Sequence, residues 1–173
     1  MLLNLTEILS YEDKVEEVLI NYEPDTFTNS GRTFPFLHKE PMRLICQNTG
    51  KGKANLSGNF ACTVSMECDR CLKPVDVEIA FSVNEDISAE EIEHPVDADG
   101  LFFMEGYHLD TDKLIGNELL INWPTKVLCR ETCKGICKQC GKDLNLGECG
   151  CDTFIPDPRM AVINDIFNAN KEV

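Results

Sequence analysis

Residues 54–83 read ANLSGNFACTVSMECDRCLKPVDVEIAFSV, and their pattern predicts a central hairpin. Apolar and polar residues alternate on both sides of Cys68–Cys71, and the alternation is strict from Val75 to Val83. A period of two sends one row of side chains into a core and the other into solvent, as in a half-buried strand. We therefore predict two antiparallel strands, with the sequence Cys68-Asp-Arg-Cys71 near a strand end or at the hairpin tip.

Shorter segments on either side predict the rest of a β-rich domain. Met42–Cys46 alternates in the same way, and Asn48–Lys53, with two glycines, is a typical hairpin connection. The other predicted elements are a strand over Val15–Tyr22, a turn at Asp97–Gly100, a short strand over Leu101–Met104, a helix over Lys113–Ile121 and a short helix over Arg159–Phe167. Acidic residues precede the helix at 113–121 and Pro124 follows it, as is usual at helix boundaries.

These elements predict an α+β fold, in which a mainly antiparallel β-sheet or barrel-like domain carries one docked helix and a C-terminal zinc-knuckle extension. We place the β-rich domain at residues 1–124 and the cysteine-rich extension at 125–173. The chain of 173 residues, 43% of them hydrophobic, is long enough to bury a core. No apolar run reaches transmembrane length, so no membrane partner is expected.

Six of the ten cysteines lie between Cys129 and Cys151, spaced C-x3-C-x3-C-x2-C-x8-C-x-C. A C-x-x-C pair followed by glycine is typical of a zinc knuckle. The stretch holds few apolar residues, so a metal has to supply the stability that burial cannot. No histidine lies nearby, and ligation by sulfur alone favours structural zinc over harder metals. The first predicted site consists of Cys137, Cys140, Cys149 and Cys151.

Cys68 and Cys71 form another C-x-x-C pair, which alone fits a redox pair, half of a metal site or two small apolar residues in a hairpin. Eight cysteines in four closely spaced pairs can, however, make two four-thiolate sites. The second predicted site consists of Cys68, Cys71, Cys129 and Cys133. Such a site would tie the C-terminal region to the rest of the protein. Cys46 and Cys62 have apolar neighbours and are predicted to lie in the core.

The cysteines have two alternative interpretations. A disulfide framework requires export, but Met1–Ser10 lacks the basic start of a signal peptide and acidic residues follow it. We therefore expect a cytoplasmic protein with reduced thiols. An iron–sulfur cluster uses the same ligands and stays open beside zinc.

Charge is distributed unevenly along the chain. The net charge of -14 disfavours general nucleic-acid binding. Residues 85–112 carry ten acidic residues and no Lys or Arg, which suits a basic protein partner, whereas residues 31–53 carry five basic residues and one acid. The candidate phosphate contacts are Arg32, Lys39, Arg43, Lys51, Lys53, Arg70 and Lys73. Ordinary solvated charges on strands and loops explain the same pattern equally well.

No catalytic constellation is present in the sequence. His38, His94 and His108 are isolated from one another, and no nucleophile elbow or open metal site is recognisable. We therefore expect neither enzymatic activity nor a small-molecule substrate.

Three motifs together resemble one family. They are Cys68-Asp-Arg-Cys71-Leu-Lys-Pro74, the helix Leu114–Ile121 leading to Trp123-Pro124, and the cysteine pattern from Leu128 to Cys151 with Lys134-Gly135 and Leu144-Asn145. This combination resembles the YceD family of bacterial and plastid proteins. The resemblance implies a non-enzymatic role in the accumulation of large-subunit (23S) ribosomal RNA and in building the large ribosomal subunit. The partner would be that RNA or a basic large-subunit ribosomal protein.

Two other functional classes remain as alternatives. Cys68 and Cys71 fit a cytosolic thiol redox or zinc-sensing switch, in which Arg70 and Lys73 would lower a thiol pKa against the opposing charge of Asp69. A zinc-stapled protein-binding adaptor without any ribosomal role fits the same cysteines.

Overall fold

The computed structural model describes residues 1–94 and 101–151. The chain divides into two compact units. Unit 1 comprises Met1–Glu67 and Pro74–Val127, and unit 2 comprises Cys68–Lys73 and Leu128–Val173. The segment Cys68–Lys73 thus groups with the cysteine-rich region, although the sequence analysis placed it in the β-rich domain. A domain boundary at residues 124 and 125 stays a prediction. The predicted turn at Asp97–Gly100 and helix at Arg159–Phe167 lie outside the described residues.

The helices and strands of the described residues all belong to unit 1. In chain order they are β1 (Leu2–Asn4), α1 (Thr6–Ser10), β2 (Val15–Ile20), β3 (Thr26–Asn29), β4 (Arg32–Lys39), β5 (Met42–Gly50), β6 (Lys53–Glu67), β7 (Pro74–Ser88), α2 (Ala89–Glu93), β8 (Met104–Glu105), β9 (His108–Asp110) and α3 (Thr111–Ile121).

The large sheet has six strands built around β6. Strand β7 pairs with β6 along all 15 residues, from Lys53↔Ser88 to Glu67↔Pro74. On the other side of β6, β5 pairs with its first half and β4 with its second half, while β2 flanks β5 and β3 flanks β4. Every pair is antiparallel. The sheet curls into a half-barrel, which confirms the predicted fold class.

The predicted alternation places the core on one face of this sheet. In β7 the odd-numbered residues from Ile79 to Ile87 are buried or half-buried, and the even-numbered residues from Pro74 to Asp86 are exposed. Buried residues of β5 and β6, Leu44 and Leu56 among them, belong to the same hydrophobic core. Cys46 and Cys62 are also buried there, as predicted.

Helix α3 packs on the core through Leu114, Ile115 and Leu119, all of them buried. It begins at Thr111, two residues earlier than predicted, because the carboxylate of Asp110 accepts hydrogen bonds from the N–H groups of Asp112 and Lys113. Beyond its end, the half-buried Trp123 has its ring centroid 5.0 Å from those of Phe27 and Phe34.

A small three-stranded sheet, in the order β1-β9-β8, was missed by the sequence analysis. The predicted strand at Leu101–Met104 is wrong in extent, since residues 101–103 form a turn closed by a hydrogen bond from the Met104 N–H to the Leu101 carbonyl. The strand predicted to reach Tyr22 ends at Ile20. Among the described residues, no helix has the length and apolar character needed to cross a membrane.

Candidate metal centres

Unit 2 contains two knuckles with the same hydrogen bonds. In Cys68–Lys73, the Cys68 N–H donates to the Lys73 carbonyl at 2.8 Å, and the Leu72 N–H donates to the Cys68 carbonyl at 2.9 Å. In the second knuckle, the N–H groups of Cys137 and Gly141 donate to the carbonyls of Lys142 and Cys137 at 2.8 and 2.9 Å. Each C-x-x-C is therefore folded so that both of its sulfurs point toward one place.

The residue after each C-x-x-C has a left-handed backbone. Gly141 has φ = 73° and Leu72 has φ = 59°. Glycine adopts this conformation readily, whereas for leucine it costs about 1–2 kcal/mol. Leu72 is 57% exposed, so burial of its side chain does not explain why it is held there. The hydrogen bonds of the knuckle hold Leu72 in this conformation.

What we call the first centre is formed by the four cysteines of the second predicted site, Cys68, Cys71, Cys129 and Cys133. Their sulfurs all lie within 4.8 Å of one another. The Sγ atoms of Cys68 and Cys133 are 3.9 Å apart, and those of Cys71 and Cys129 are 3.5 Å apart. Four thiolates at 2.3 Å around one tetrahedral ion are about 3.8 Å apart. The four sulfurs therefore have the spacing that a single metal ion requires.

What we call the second centre is formed by the four cysteines of the first predicted site, Cys137, Cys140, Cys149 and Cys151, again with all sulfurs within 4.8 Å of one another. Only Cys137 is buried here, whereas the first centre has three buried cysteines. Each of the two groups of four could hold a metal ion.

The sulfurs of the first centre do not have the spacing of disulfides. The distances of 3.5 and 3.9 Å in the first centre far exceed the length of about 2.05 Å of an S–S bond. An iron–sulfur cluster distributes its four cysteines over two or four irons, so that thiolates on different irons lie farther apart than thiolates around a single ion. The spacing in the first centre is better suited to one ion.

Hydrogen bonds from the backbone favour thiolate in both centres. Burial raises the pKa of Cys68, but backbone N–H groups of Cys129, Arg70 and Cys71 outweigh it and bring the pKa to about 6. Backbone N–H groups of Cys140 and Gln139 likewise lower the pKa of Cys137 to about 6.

In each centre another thiol resists ionisation. Contact with the Cys71 sulfur raises the pKa of Cys129 to about 12, and contact with the Cys140 sulfur does the same for Cys151. Four thiolates so close together repel one another, and a divalent cation would remove that cost.

Asn145 connects four parts of unit 2. Its side-chain amide donates to Sγ of Cys133 at 3.5 Å and to the carboxylate of Asp143 at 2.7 Å. Its carbonyl oxygen accepts from the Arg130 guanidinium at 2.8 Å and from the Lys134 N–H at 2.9 Å. Asn145 therefore both orients and electrostatically supports one of the four sulfurs of the first centre.

The two sequence segments of the first centre are joined by contacts of the backbone and of charged side chains. Nη1 of Arg70 donates to the Cys133 carbonyl at 2.7 Å, and the Ile136 N–H donates to the Arg70 carbonyl at 3.0 Å. A Cβ on Gly135 would lie 2.8 Å from that same carbonyl oxygen, so only glycine fits there.

Lys73 forms an ion pair with Asp143 at 2.7 Å. This pair lowers the pKa of Asp143 to about 2, with further help from the amide groups of Asn145. Arg70 and Lys73 are thus both engaged in holding unit 2 together.

The other five phosphate-contact candidates lie in unit 1 and do not form one cluster. Lys39 donates to the Pro24 carbonyl at 2.7 Å, and Arg43 pairs with Glu17 at 2.8 Å. Arg32 begins β4 and lies beyond the Phe36↔Val64 pair, toward the C-terminal end of β6. Lys53 is the first residue of β6. At about 3.3 Å per residue, these two positions lie toward opposite ends of a 15-residue strand. Lys51 lies in the β5–β6 turn and is exposed.

Some of the acidic residues between 85 and 112 have a hydrogen-bonding or ion-pair partner, and others are exposed. Glu93 accepts a hydrogen bond from the Tyr107 hydroxyl at 2.6 Å, and Lys113 pairs with Glu105 at 2.6 Å. Glu90 and Glu91 are exposed in α2. Asp97 and Asp99 lie outside the described residues.

No role was predicted for the supporting residues of the first centre, although Gly135 and Asn145 belong to the motif that resembles the family. Asn145, Asp143 and Gly135 act through hydrogen bonds or close contacts that no spacing rule contains. The only signal in the sequence was a glycine and an asparagine lying among the cysteines.

Comparison with known proteins gives one family. Residues 56–167, more than half of the chain, match the family described as large ribosomal RNA subunit accumulation protein YceD. No curated protein and no solved structure matches the chain. The matched segment contains most of β6, all of β7 and α3, and all eight cysteines of the two centres. The chain therefore belongs to the YceD family of large ribosomal RNA subunit accumulation proteins.

Proposed function

We propose that this protein is a non-enzymatic factor for 23S rRNA accumulation that holds a basic large-subunit ribosomal protein on unit 1 during assembly in the cytoplasm. The family supports the ribosomal role. The observation that favours a protein partner is the charge of unit 1, which has 22 acidic residues against 8 basic ones. Unit 2 has 8 of each, so the whole excess of -14 belongs to unit 1.

A surface of this charge attracts a basic protein and repels phosphate. An open cleft of about 850 Å³ in unit 1 has Asp86, Glu90 and Glu91 along its walls. Ribosomal proteins that bind rRNA are rich in Lys and Arg because they neutralise phosphates. Holding such a protein until it meets its RNA would prevent wrong associations and promote rRNA accumulation.

We further propose that both four-cysteine centres hold zinc, with a structural role. All four ligands of each centre are protein sulfurs, which leaves no coordination position for a substrate. Sulfur-only ligation is typical of zinc. In the described part of unit 2, turns and a single β-bridge are the only backbone structure, so the ions would supply much of its stability.

Direct rRNA binding is the alternative mode within the same function. Arg32, Lys51 and Lys53 are exposed and have no ion-pair partner among the described residues. Binding to 23S rRNA fragments that weakens steeply with salt, and that is lost when these three are changed to Ala, would favour this mode.

The thiol-switch alternative fits the geometry less well. Cys68 and Cys71 lie in one group with Cys129 and Cys133, and both are buried. A redox thiol has to be accessible to its oxidant. Oxidation of Cys68 and Cys71 in cells under thiol stress, with a matching change in activity, would favour the switch.

The proposed function is tested by depleting the protein from cells and measuring the ratio of 23S to 16S rRNA. We expect a selective fall in the large-subunit species, restored by the wild-type gene. The protein is then affinity-purified from the cells in which its expression has been restored, and the sample is treated with nuclease and with high salt. These treatments distinguish a directly bound protein from bound RNA. An unchanged rRNA ratio would overturn the assembly role.

A further inference from the structure

Strand β7 forms an open edge of the large sheet. Within residues 1–94 and 101–151 it pairs with β6 alone, along its full length of 15 residues. Between residues 75 and 88, no backbone hydrogen bond joins β7 to any other described segment. Long unpaired edges are uncommon, because they present a row of free N–H and C=O groups to any extended chain.

The register fixes which backbone groups face outward. The Ala89 N–H donates to the Gly52 carbonyl, which makes 52 and 89 a hydrogen-bonded pair directly after Lys53↔Ser88. Such pairs alternate with non-hydrogen-bonded pairs in an antiparallel ladder, and the β6–β7 ladder has no bulge. Odd-numbered residues of β7 therefore bond to β6. The N–H and C=O groups of Asp76, Glu78 and Ala80 point to the free edge.

The side chains along the first half of this edge are acidic and apolar. Asp76 and Glu78 are exposed, and neither has an ion pair or hydrogen-bonding partner among residues 1–94 and 101–151. In contrast, Asp86 farther along accepts a hydrogen bond from Asn55 at 2.8 Å. Val75 and Val77, on the core-facing row, are only half-buried. An added strand could cover these valines and pair its basic side chains with the two carboxylates.

We propose, on the basis of the assembly function proposed above, that Pro74–Ala80 of β7 binds an extended Lys- and Arg-rich segment of the partner protein as an additional strand. Backbone pairing would supply affinity, and the alternating carboxylates would select a basic segment. RNA does not fit, because it has no matching backbone and its phosphates meet Asp76 and Glu78. A second copy of this chain does not fit either, since two β7 edges would bring like charges together.

The test uses the full-length, metal-loaded protein and a fluorescein-labelled peptide of eleven residues that alternates Lys with Val or Thr. The matched control peptide has the same sequence but is N-methylated at alternate residues, which keeps the charge and prevents strand pairing on that edge. We expect N-methylation to weaken binding about ten-fold or more. We expect the protein to stay folded when the peptide binds, so hydrogen exchange can locate the bound peptide residue by residue.

Hydrogen exchange gives the most specific signal. On peptide binding, the amides of Asp76, Glu78 and Ala80 should gain protection. Neighbouring odd-numbered amides, which already bond to β6, should change little. Equal change at both sets of amides, or none at either, would overturn the proposal.

Two protein variants separate backbone pairing from charge. Ala80→Pro removes an outward N–H without removing a ladder hydrogen bond, and Asp76→Asn with Glu78→Gln removes the charges without blocking the edge. Both should weaken binding about ten-fold, whereas the control pair Glu12→Gln and Glu16→Gln, exposed on other segments, should leave it within about two-fold. Equal binding by the N-methylated peptide would show charge attraction alone and overturn strand addition.

The outcomes for this edge and for the assembly function are separable. A fall in 23S rRNA on depletion, together with no peptide pairing at β7, overturns the edge proposal and leaves the assembly function standing. Peptide pairing with an unchanged rRNA ratio overturns the assembly function instead.

Discussion

The side-chain amide of Asn145 donates a hydrogen bond to Sγ of Cys133, with a distance of 3.5 Å between nitrogen and sulfur. The same asparagine is held by Asp143 and Arg130, so its amide is oriented by protein groups. Donors of this kind stabilise thiolate and fix the direction of its lone pairs. The first centre is thus prepared by residues that do not themselves ligate a metal.

Asn145→Ala should weaken metal binding at the first centre about ten-fold or more. The measurement is competition with a chromophoric chelator, in a background where Cys149→Ser and Cys151→Ser disable the second centre. Gln139→Ala is the matched control, because that exposed side chain has no hydrogen bond to a cysteine among the described residues. Equal affinity of the two variants would show that Asn145 contributes nothing to the centre.

Gly58→Ala should destabilise unit 1 by about 1–3 kcal/mol. A Cβ at this position would lie 2.7 Å from the Arg43 carbonyl oxygen of the neighbouring strand, and backbone in the middle of a sheet cannot move aside. Urea unfolding of the metal-loaded protein measures the loss. Ser57→Ala, one residue away and half-buried, should change the free energy of unfolding much less. Similar losses for both would mean that β5 shifts to accept the methyl group.

The β6–β7 hairpin and α3 were predictable because each has a strong local signal. Strict alternation identified Val75–Val83, and Asp110 with Pro124 bracketed the helix. The small β1-β9-β8 sheet has strands of two or three residues, too short for any period to show. Its formation depends on contacts between distant parts of the chain.

The candidate centres were only partly predictable for a related reason. The knuckle at Cys137 is marked by Gly141, but the equivalent position after Cys71 holds Leu72. A rule that expects glycine there finds only one knuckle of the two. Among the candidate phosphate contacts, the sequence predicted too many available side chains. It could not reveal that Arg70 and Lys73 are occupied by contacts within unit 2.

Leu72→Asn should stabilise the metal-loaded protein by about 1 kcal/mol. Asparagine tolerates the left-handed backbone that Leu72 is forced to adopt, and the exposed leucine loses little burial when it is replaced. Thermal unfolding at saturating zinc measures the gain. The reciprocal change Gly141→Ala should lower stability, because φ = 73° is strained for alanine. A loss of stability in Leu72→Asn would indicate that the leucine makes a stabilising contact.

Glu118→Gln should raise stability at neutral pH. Burial, and secondarily the charge of Glu85, raise the pKa of Glu118 above 4.5, so the folded state favours the protonated acid. Its destabilising effect is therefore absent below pH 4.5 and develops as pH rises through the folded-state pKa. Urea unfolding at several pH values should show wild type and variant converging in acid and separating toward pH 7. Glu12→Gln, at an exposed position, is the control, and a constant difference at all pH values would contradict this mechanism.

The two centres should bind two zinc ions per chain and release them in a fixed order. Cys140 is exposed and Cys149 and Cys151 are half-buried, so a chelator reaches the second centre more easily. The first centre has three buried sulfurs. Metal analysis should give two ions for the wild type, and chelator-induced release should have two phases, the faster of them missing when Cys149 and Cys151 are both changed to Ser.

Changing Cys68 and Cys133 to Ser should remove the slow phase instead, and should also loosen the knuckle formed by Cys68–Lys73. Because Glu67 and Pro74, on either side of that knuckle, form the last pair of the β6–β7 ladder, its loss should increase amide exchange at that end of the hairpin. The exchange at the other end, near Lys53 and Ser88, should stay unchanged. Loss of both release phases in either double variant would show that the two centres fold as one cooperative unit rather than separately.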